Sequence, residues 1–393
     1  MRHRAALALC LASWLVQPLA AQRAEFAGYA LNVFLRAGAG PLNAAGVQDL
    51  QRVRLMATGA LATLHWDVAY EQLLTLASSP DLASIGRALG QPGGGGDWLP
   101  LQGTLADNEH VVWRHRLDRL SIAVAGAVAE MSLGRQTIAW ATTLLLTPAD
   151  PFAPFDPADP FREYRGGVDA ARLRVFPSPM SGLEVVVRPA TFDSVTTLTA
   201  LVRGRIAVGR LELGAWGGVL HDAAAGSAGA TVTAAGAVLR AETVVRSSEE
   251  AGTVVRLAVG ADRSFALARR ALYVAVEYQR DGFGAADGAG LLDVLGSAPF
   301  RRGELQVLGR DEVTLNATWQ AHPLVSLSGL ALWNGGDGSV LLSPAASYDV
   351  LPSANLRVGA YFGFGAETTP VGQPGSEYGV VPVTGYAAGS VYF

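Results

Sequence analysis

The sequence predicts an all-β protein, an antiparallel transmembrane β-barrel of about 18 strands (range 16–18), with short turns at one end and long loops at the other. Three observations point there. Half of the 393 residues are apolar and only 16% are charged, yet after residue 21 no run approaches the roughly 18 continuous apolar residues that a membrane helix needs. The dominant pattern is instead a period of two in segments of about ten residues, which suits strands with one face in lipid and the other in a polar lumen. Aromatic residues, among them Trp66, Tyr70, Trp216, Trp319, Trp333, Phe364 and Tyr386, fall near the ends of those segments, as they do in the girdles at a membrane's two interfaces.

Residues 1–21 read as a secretory signal peptide. Arg2 and Arg4 supply the positive start, Ala5 to Val16 the apolar stretch, and Leu19, Ala20 and Ala21 the cleavage site. The single cysteine, Cys10, lies inside that stretch, so the mature protein is expected to have no disulfide, no thiolate chemistry and no cysteine-based metal site. Residues 22–393 are then expected to form one barrel domain.

The alternation is explicit along the chain. In 64–71, Leu64, Trp66, Val68 and Tyr70 oppose His65, Asp67 and Glu71. Thr314, Asn316, Thr318 and Gln320 make an uninterrupted polar face, and Leu356, Val358, Ala360, Phe362 and Phe364 an apolar one with Arg357 pointing the other way. This pattern places strands near 25–36, 50–60, 63–77, 115–125, 127–136, 167–176, 182–190, 195–207 and 210–220. Further strands are expected near 228–234, 237–246, 252–262, 268–280, 305–319, 323–334, 338–349, 353–365 and 382–393. The count is even, as a barrel with both termini in the periplasm requires, and it puts the long connections 78–114, 137–166, 281–304 and 366–381 all on the extracellular side. The Gly run 93–96 and the Ala/Gly stretches near 223–230 and 284–290 read as flexible surface loops.

A net charge of −4 is too small to imply nucleic acid or any strongly charged partner, and no nucleic acid is expected. All 30 basic residues are arginine, so any cationic site must be built from guanidinium groups, which stay charged when partly buried.

The most distinctive segment begins with Gly134-Arg135-Gln136-Thr137-Ile138-Ala139-Trp140. It continues through a Pro/Asp-rich run over 148–160 into Arg162-Glu163-Tyr164-Arg165-Gly166-Gly167-Val168-Asp169. Repeated proline fixes φ and removes backbone donors, so 148–160 forms a stiff excursion rather than a strand. Folded into the lumen, it would carry Asp156, Asp159, Arg162, Glu163, Arg165 and Asp169 to a constriction, and it would give Phe152, Phe155 and Phe161 cover. The rival reading is a rigid external loop that closes on itself through Arg–Asp pairs. Calcium is not expected on Asp150, Asp156 and Asp159, because the prolines prevent a tight oxygen wrap and no Glu completes the set. The segment resembles one in a group of porin-like outer-membrane barrel proteins, although Trp140-Ala141 stands where that group tends to have Trp-Gly. The final Val391-Tyr392-Phe393 resembles the last strand of bacterial outer-membrane barrels, and the resemblance implies that Val391 and Phe393 are read by the barrel-assembly machinery.

Alternation assigns Arg203, Arg205, Arg210, Glu212, Arg240, Glu242, Arg246, Arg256 and Arg357 to the inner face, since an arginine in mid-membrane lipid costs roughly 2–4 kcal/mol. One reading is an arginine-lined wall that favours anions. The other is cross-strand pairing with Glu184, Glu212, Glu242 and Glu277. None of the six histidines has a nucleophile or carboxylate fixed beside it by spacing, so no enzyme, cofactor or metal is expected. The functional expectation is a porin-like channel in the bacterial outer membrane for small polar solutes, anions preferred. The alternatives are a non-conducting barrel that works with a periplasmic partner in lipid or envelope trafficking and, less favoured, a barrel hydrolase. Expected partners are outer-membrane lipid, the assembly machinery and small solutes, with homo-oligomerisation left open.

Overall fold

The computed structural model describes residues 23–80, 96–152, 158–192, 194–248 and 252–393. The expected signal peptide, Asp156, Phe155 and residues 93–95 lie outside them. Nineteen strands form one antiparallel sheet. The first half comprises β1 (Arg23–Ala37), β2 (Gly46–Leu61), β3 (Leu64–Ala77), β4 (Gln102–Asp107), β5 (Val111–Ala125), β6 (Ala129–Gln136), β7 (Val168–Ser178), β8 (Ser181–Phe192) and β9 (Val195–Val208). It continues with β10 (Leu211–Leu220), β11 (Ala223–Ala234), β12 (Ala237–Ser248), β13 (Gly252–Leu267) and β14 (Arg270–Asp281). The last strands are β15 (Asp311–His322), β16 (Val325–Asn334), β17 (Val340–Leu351), β18 (Ala354–Phe364) and β19 (Thr384–Tyr392).

Eighteen of these strands make the wall, and β19 pairs with β1 to close it into a cylinder. The nineteenth, β4, was not expected. It arises because β6 is only 8 residues long and leaves the wall at Gln136, exposing the upper edge of β5. Gln102 to Asp107 pair there with Arg116 to Val112, so the freed backbone groups of β5 regain partners.

Inner and outer faces alternate as the polarity pattern requires. On β9 the odd residues Thr197, Thr199 and Leu201 are buried, whereas Leu198, Val202 and Ile206 are exposed toward the lipid side. Tight two-residue turns join most hairpins at one end. Ala235 and Gly236 have φ of 49° and 77°, and Ala268 and Arg269 of 50° and 62°, the left-handed pair that matches strand twist.

One expectation about loops fails. The Ala/Gly stretch near 223–230 is strand, not loop, because β11 begins at Ala223 directly after a turn at His221 and Asp222. Its inner face (Ala225, Ser227, Gly229, Thr231) is small for a packing reason. A Cβ on Gly229 would lie 2.4 Å from Thr142 Oγ1, so chain pressed against the wall from inside leaves no room for larger side chains. The region near 284–290 opens onto two short helices, α1 (Leu291–Gly296) and α2 (Ala298–Arg301), and Ala285, Leu291 and Val294 form a small buried cluster. The strand expected from 305 begins only at Asp311.

Candidate functional site

Between β6 and β7 the chain leaves the wall, and its described parts, residues 137–152 and 158–167, lie inside the barrel. Its outward limb is held by carboxylates of the opposite wall. Glu242 on β12 accepts hydrogen bonds from the backbone N–H of Thr142 (2.6 Å), Thr143 (3.0 Å) and Ala149 (2.9 Å). Glu277 on β14 accepts from Leu144 (2.7 Å), Leu145 (2.8 Å) and Leu146 (2.8 Å). These are charge-assisted bonds in a buried place, the stronger kind. Trp216 donates its indole N–H to the Ala149 carbonyl, and Arg256 donates to that of Pro148. Trp140, Phe152, Val186, Leu201, Trp216 and Val244 close an apolar core between limb and wall, with Trp140 and Phe152 edge to face at 4.9 Å.

The return limb, 158–167, lies against β18, β19, β1, β2 and β5. Arg357 donates to the Pro160 carbonyl (2.8 Å), Tyr361 to that of Ala158 (3.0 Å) and Arg52 to that of Phe161 (2.8 Å). Phe161 meets Tyr386 edge to face, Tyr164 stacks on Tyr29, and the Arg54 guanidinium sits 4.7 Å over the Tyr164 ring. The Tyr392 hydroxyl bonds to Glu163. Arg–Asp pairs also close the segment on itself, Arg165 with Asp150 (2.5 Å) and Arg162 with Asp159 (3.9 Å). Burial lowers the Arg162 pKa, and Asp159 opposes that.

The residues expected to line a pore divide into two groups. Arg203 and Arg205, on β9, border a cavity of about 170 Å³ shared with Arg172, Arg174 and Glu184. Arg172 pairs with Glu184 (2.6 Å) and Arg174 with Glu130. Arg203 and Arg205 make no ion pair or hydrogen bond among the described residues, and the nearest aromatic face to Arg203 is Trp140 at 5.8 Å. Glu212 is exposed on the inner face of β10. The others are committed to structure. Glu242 and Arg256 hold the crossing segment, Arg256 also pairing with Asp281 (2.7 Å). Arg240 pairs with Asp262, Arg246 with Glu304, and Arg357 carries the return limb. Arg210 is not on a strand at all; it occupies the exposed two-residue turn after Gly209, because β10 starts at Leu211.

Asp169 needs correction as a constriction residue. It lies on β7 opposite Arg135, and Arg135 lies opposite Leu120, whose side chain is exposed on the outer face. Asp169 therefore points away from the lumen. It makes a two-point pair with Arg135 (2.8 Å at each contact) and accepts from the N–H groups of Trp98 and Leu99. Asp97 joins Arg135 at 3.1 Å, and its pKa is raised by burial, against the pull of Arg135.

Sequence reasoning missed the network beneath the return limb, made of Arg52, Arg54, Glu71, Arg116, Asp118 and Arg119. Arg54 bridges Glu71 (3.2 Å) and Asp118 (2.6 Å), and Arg116 reaches Glu71 (2.8 Å). Alternation could have found Arg52 and Arg54, which share a face with Leu50. It could not have found Asp118 beside Arg119 on the inner side, because two adjacent residues share a face there only through the register shift opposite Ala69 and Tyr70. Among the histidines, His221 is buried against Thr197 (2.9 Å) with no carboxylate to orient it, and burial with nearby arginines pushes its pKa down to about 2. Val391 and Phe393 are exposed on the outer face, and Phe393 exchanges both backbone hydrogen bonds with Gly28.

No protein-family model matches the chain, and none of the curated proteins does. Solved structures do, over nearly the whole length. Acinetobacter baumannii OccAB1 aligns with a TM-score of 0.57 at 8% identity, covering 94% of this chain and 96% of that one. A BenF-like porin from Pseudomonas fluorescens Pf-5 gives 0.55 at 12% identity, covering 95% and 99%. Pseudomonas aeruginosa OpdK, solved with vanillate, gives 0.52 at 12%, covering 94% and 98%. The chain has the fold of the outer-membrane porins.

Proposed function

We propose that this chain is an outer-membrane channel that lets small polar solutes diffuse inward, with a preference for anions. The observation that carries this reading is the pair Arg203 and Arg205. Nearly every other inner-wall charge described above is spent on an ion pair or on the crossing segment. These two guanidiniums border a cavity and make no ion pair or hydrogen bond among the described residues, in a site rich in arginine, where an anionic group would meet forked donors. The porin fold supports the channel, and vanillate, present in one of the similar porins, is itself a carboxylate. The crossing segment, with Asp159, Arg162, Glu163 and Arg165 on its return limb, acts in this reading as the constriction.

Single-channel recording of the refolded mature protein under a salt gradient tests it. Stable conductance with an anion-selective reversal potential is expected, and R203A/R205A should move that potential toward zero selectivity. A second reading, a non-conducting barrel acting with a periplasmic partner, is favoured by the anchoring of the segment on both walls. Silence from folded, heat-modifiable protein would select it and end the channel proposal.

A further inference from the structure

At the long-loop end, the inner wall formed by β14, β15 and β16 contains a buried carboxylate that differs from the others. Glu242 and Glu277 each receive three backbone N–H groups, and Glu71, Asp118 and Asp281 meet arginine. Glu312 is fully buried, and neither of its oxygens receives a directed hydrogen bond. What its carboxyl faces is the carboxyl of Glu377 and the hydroxyl of Tyr378, both from the 365–383 loop. Among the described residues, no arginine pairs with Glu312, Glu377 or the neighbouring Asp337.

The same wall holds further unanswered oxygens. Gln279 lies directly opposite Glu312 on β14, and Thr314 is the next inner-face residue on β15. Gln279 Oε1 and Thr314 Oγ1 lack a hydrogen-bond partner, and both residues are at most 1% exposed. Glu377 is different: it accepts from Leu308 N–H (2.7 Å), Gly309 N–H (2.8 Å) and Asn334 Nδ2 (2.8 Å), three donors that favour its carboxylate form against burial, and it still has a lone pair to give. Asp337 spends both oxygens on Ser339, Glu377 and Asn334, and so frames the recess without supplying a donor to it.

A proton shared between Glu312 and Glu377 would remove one charge. It would leave Gln279 Oε1, Thr314 Oγ1 and the second Glu312 oxygen still unanswered in a dry place, each at a cost. A hard cation answers all of them at once, because it takes carboxylate, amide and hydroxyl oxygens in irregular sets of six to eight, waters included. We propose that Glu312, Glu377, Gln279 and Thr314 bind one divalent cation of the calcium class, which fastens the 365–383 loop and the 305–310 segment to the wall. The four residues come from three separate stretches of chain, which is why no calcium-loop pattern announces the site in the sequence.

Terbium luminescence on the refolded, EDTA-treated full chain in detergent tests this, with Tyr378 placed to sensitise the ion. Saturable emission displaced by Ca²⁺, with affinity at least tenfold weaker in E312Q and in E377Q, is expected. Y378F should dim the emission while leaving Ca²⁺ affinity within a few-fold, and Ca²⁺ should raise the melting temperature of the parent but not of E312Q. Emission that is unchanged in E312Q would assign the ion to exposed loop carboxylates and overturn the site. A melting temperature insensitive to both Ca²⁺ and EDTA, with E312Q as stable as the parent or more so, would mean a shared proton or buried water and would overturn it equally.

Discussion

Glu277 shows how one side chain can decide the shape of the lumen. Its carboxylate gathers three consecutive amides, those of Leu144, Leu145 and Leu146, which no strand or helix would otherwise satisfy. Hydrogen bonds to a charged acceptor contribute more than neutral ones, and the orphaned amides would stay buried. We therefore expect E277A to cost about 3 kcal/mol or more in urea unfolding of the reconstituted barrel. The same variant should give larger, noisier currents if the segment it holds narrows the path. His221 gives a second residue-scale expectation. A free histidine takes a proton below about pH 6.5, whereas His221 stays neutral down to about 2. The unfolded chain then binds a proton that the fold refuses, so this contribution is complete above pH 6.5 and is lost as pH falls below it, by about 1 kcal/mol per unit. Between pH 6.5 and 4.5 the unfolding free energy of H221Q should decline less steeply than that of the parent by that amount; parallel slopes would show that His221 titrates normally.

At the scale of elements, β11 and the crossing segment are one packing unit. The strand is built largely of alanine, glycine and serine because its inner face meets the Thr142 side chain of the crossing segment instead of open lumen. G229L should push the segment off the wall. Overpacking of this kind costs about 1–3 kcal/mol, and the barrel should still close, because the wall's hydrogen bonds are untouched. The readout is conductance together with thermal stability, and unchanged values for both would place Thr142 away from Gly229 in solution. The same coupling explains β4. A segment that leaves the wall uncovers an edge, and a short strand from the neighbouring loop covers it.

For the whole molecule, the property at stake is how the cylinder closes. Phe393 pairs with Gly28 at the seam between last and first strands, its ring against a position where a Cβ would sit 2.5 Å away. The assembly role proposed for Val391 and Phe393 makes a separable prediction. In cells, F393A should lower the amount of heat-modifiable barrel in the outer membrane several-fold, while the same variant refolded in detergent should form the barrel. Equal yields in cells would remove the assembly role and leave Phe393 as a lipid-facing ring.

The sequence by itself determined the wall: strand positions to within a few residues in most cases, the sorting of faces, and the even number of strands that closes. It could do so because a strand's two faces meet different solvents, and a period of two records that difference locally. That residues 148–152 and 158–160 lie off the strands was legible too, proline acting on its own backbone. Only the tertiary structure decided what the inner charges do. That Glu242 and Glu277 serve loop amides, that Arg203 and Arg205 make no ion pair among the described residues, and that Asp169 faces outward with Arg135 all depend on contacts between residues far apart in the chain. They depend too on bulges that shift register by one residue. A local pattern carries no record of either, because the partner that satisfies a buried charge is chosen by where the chain returns.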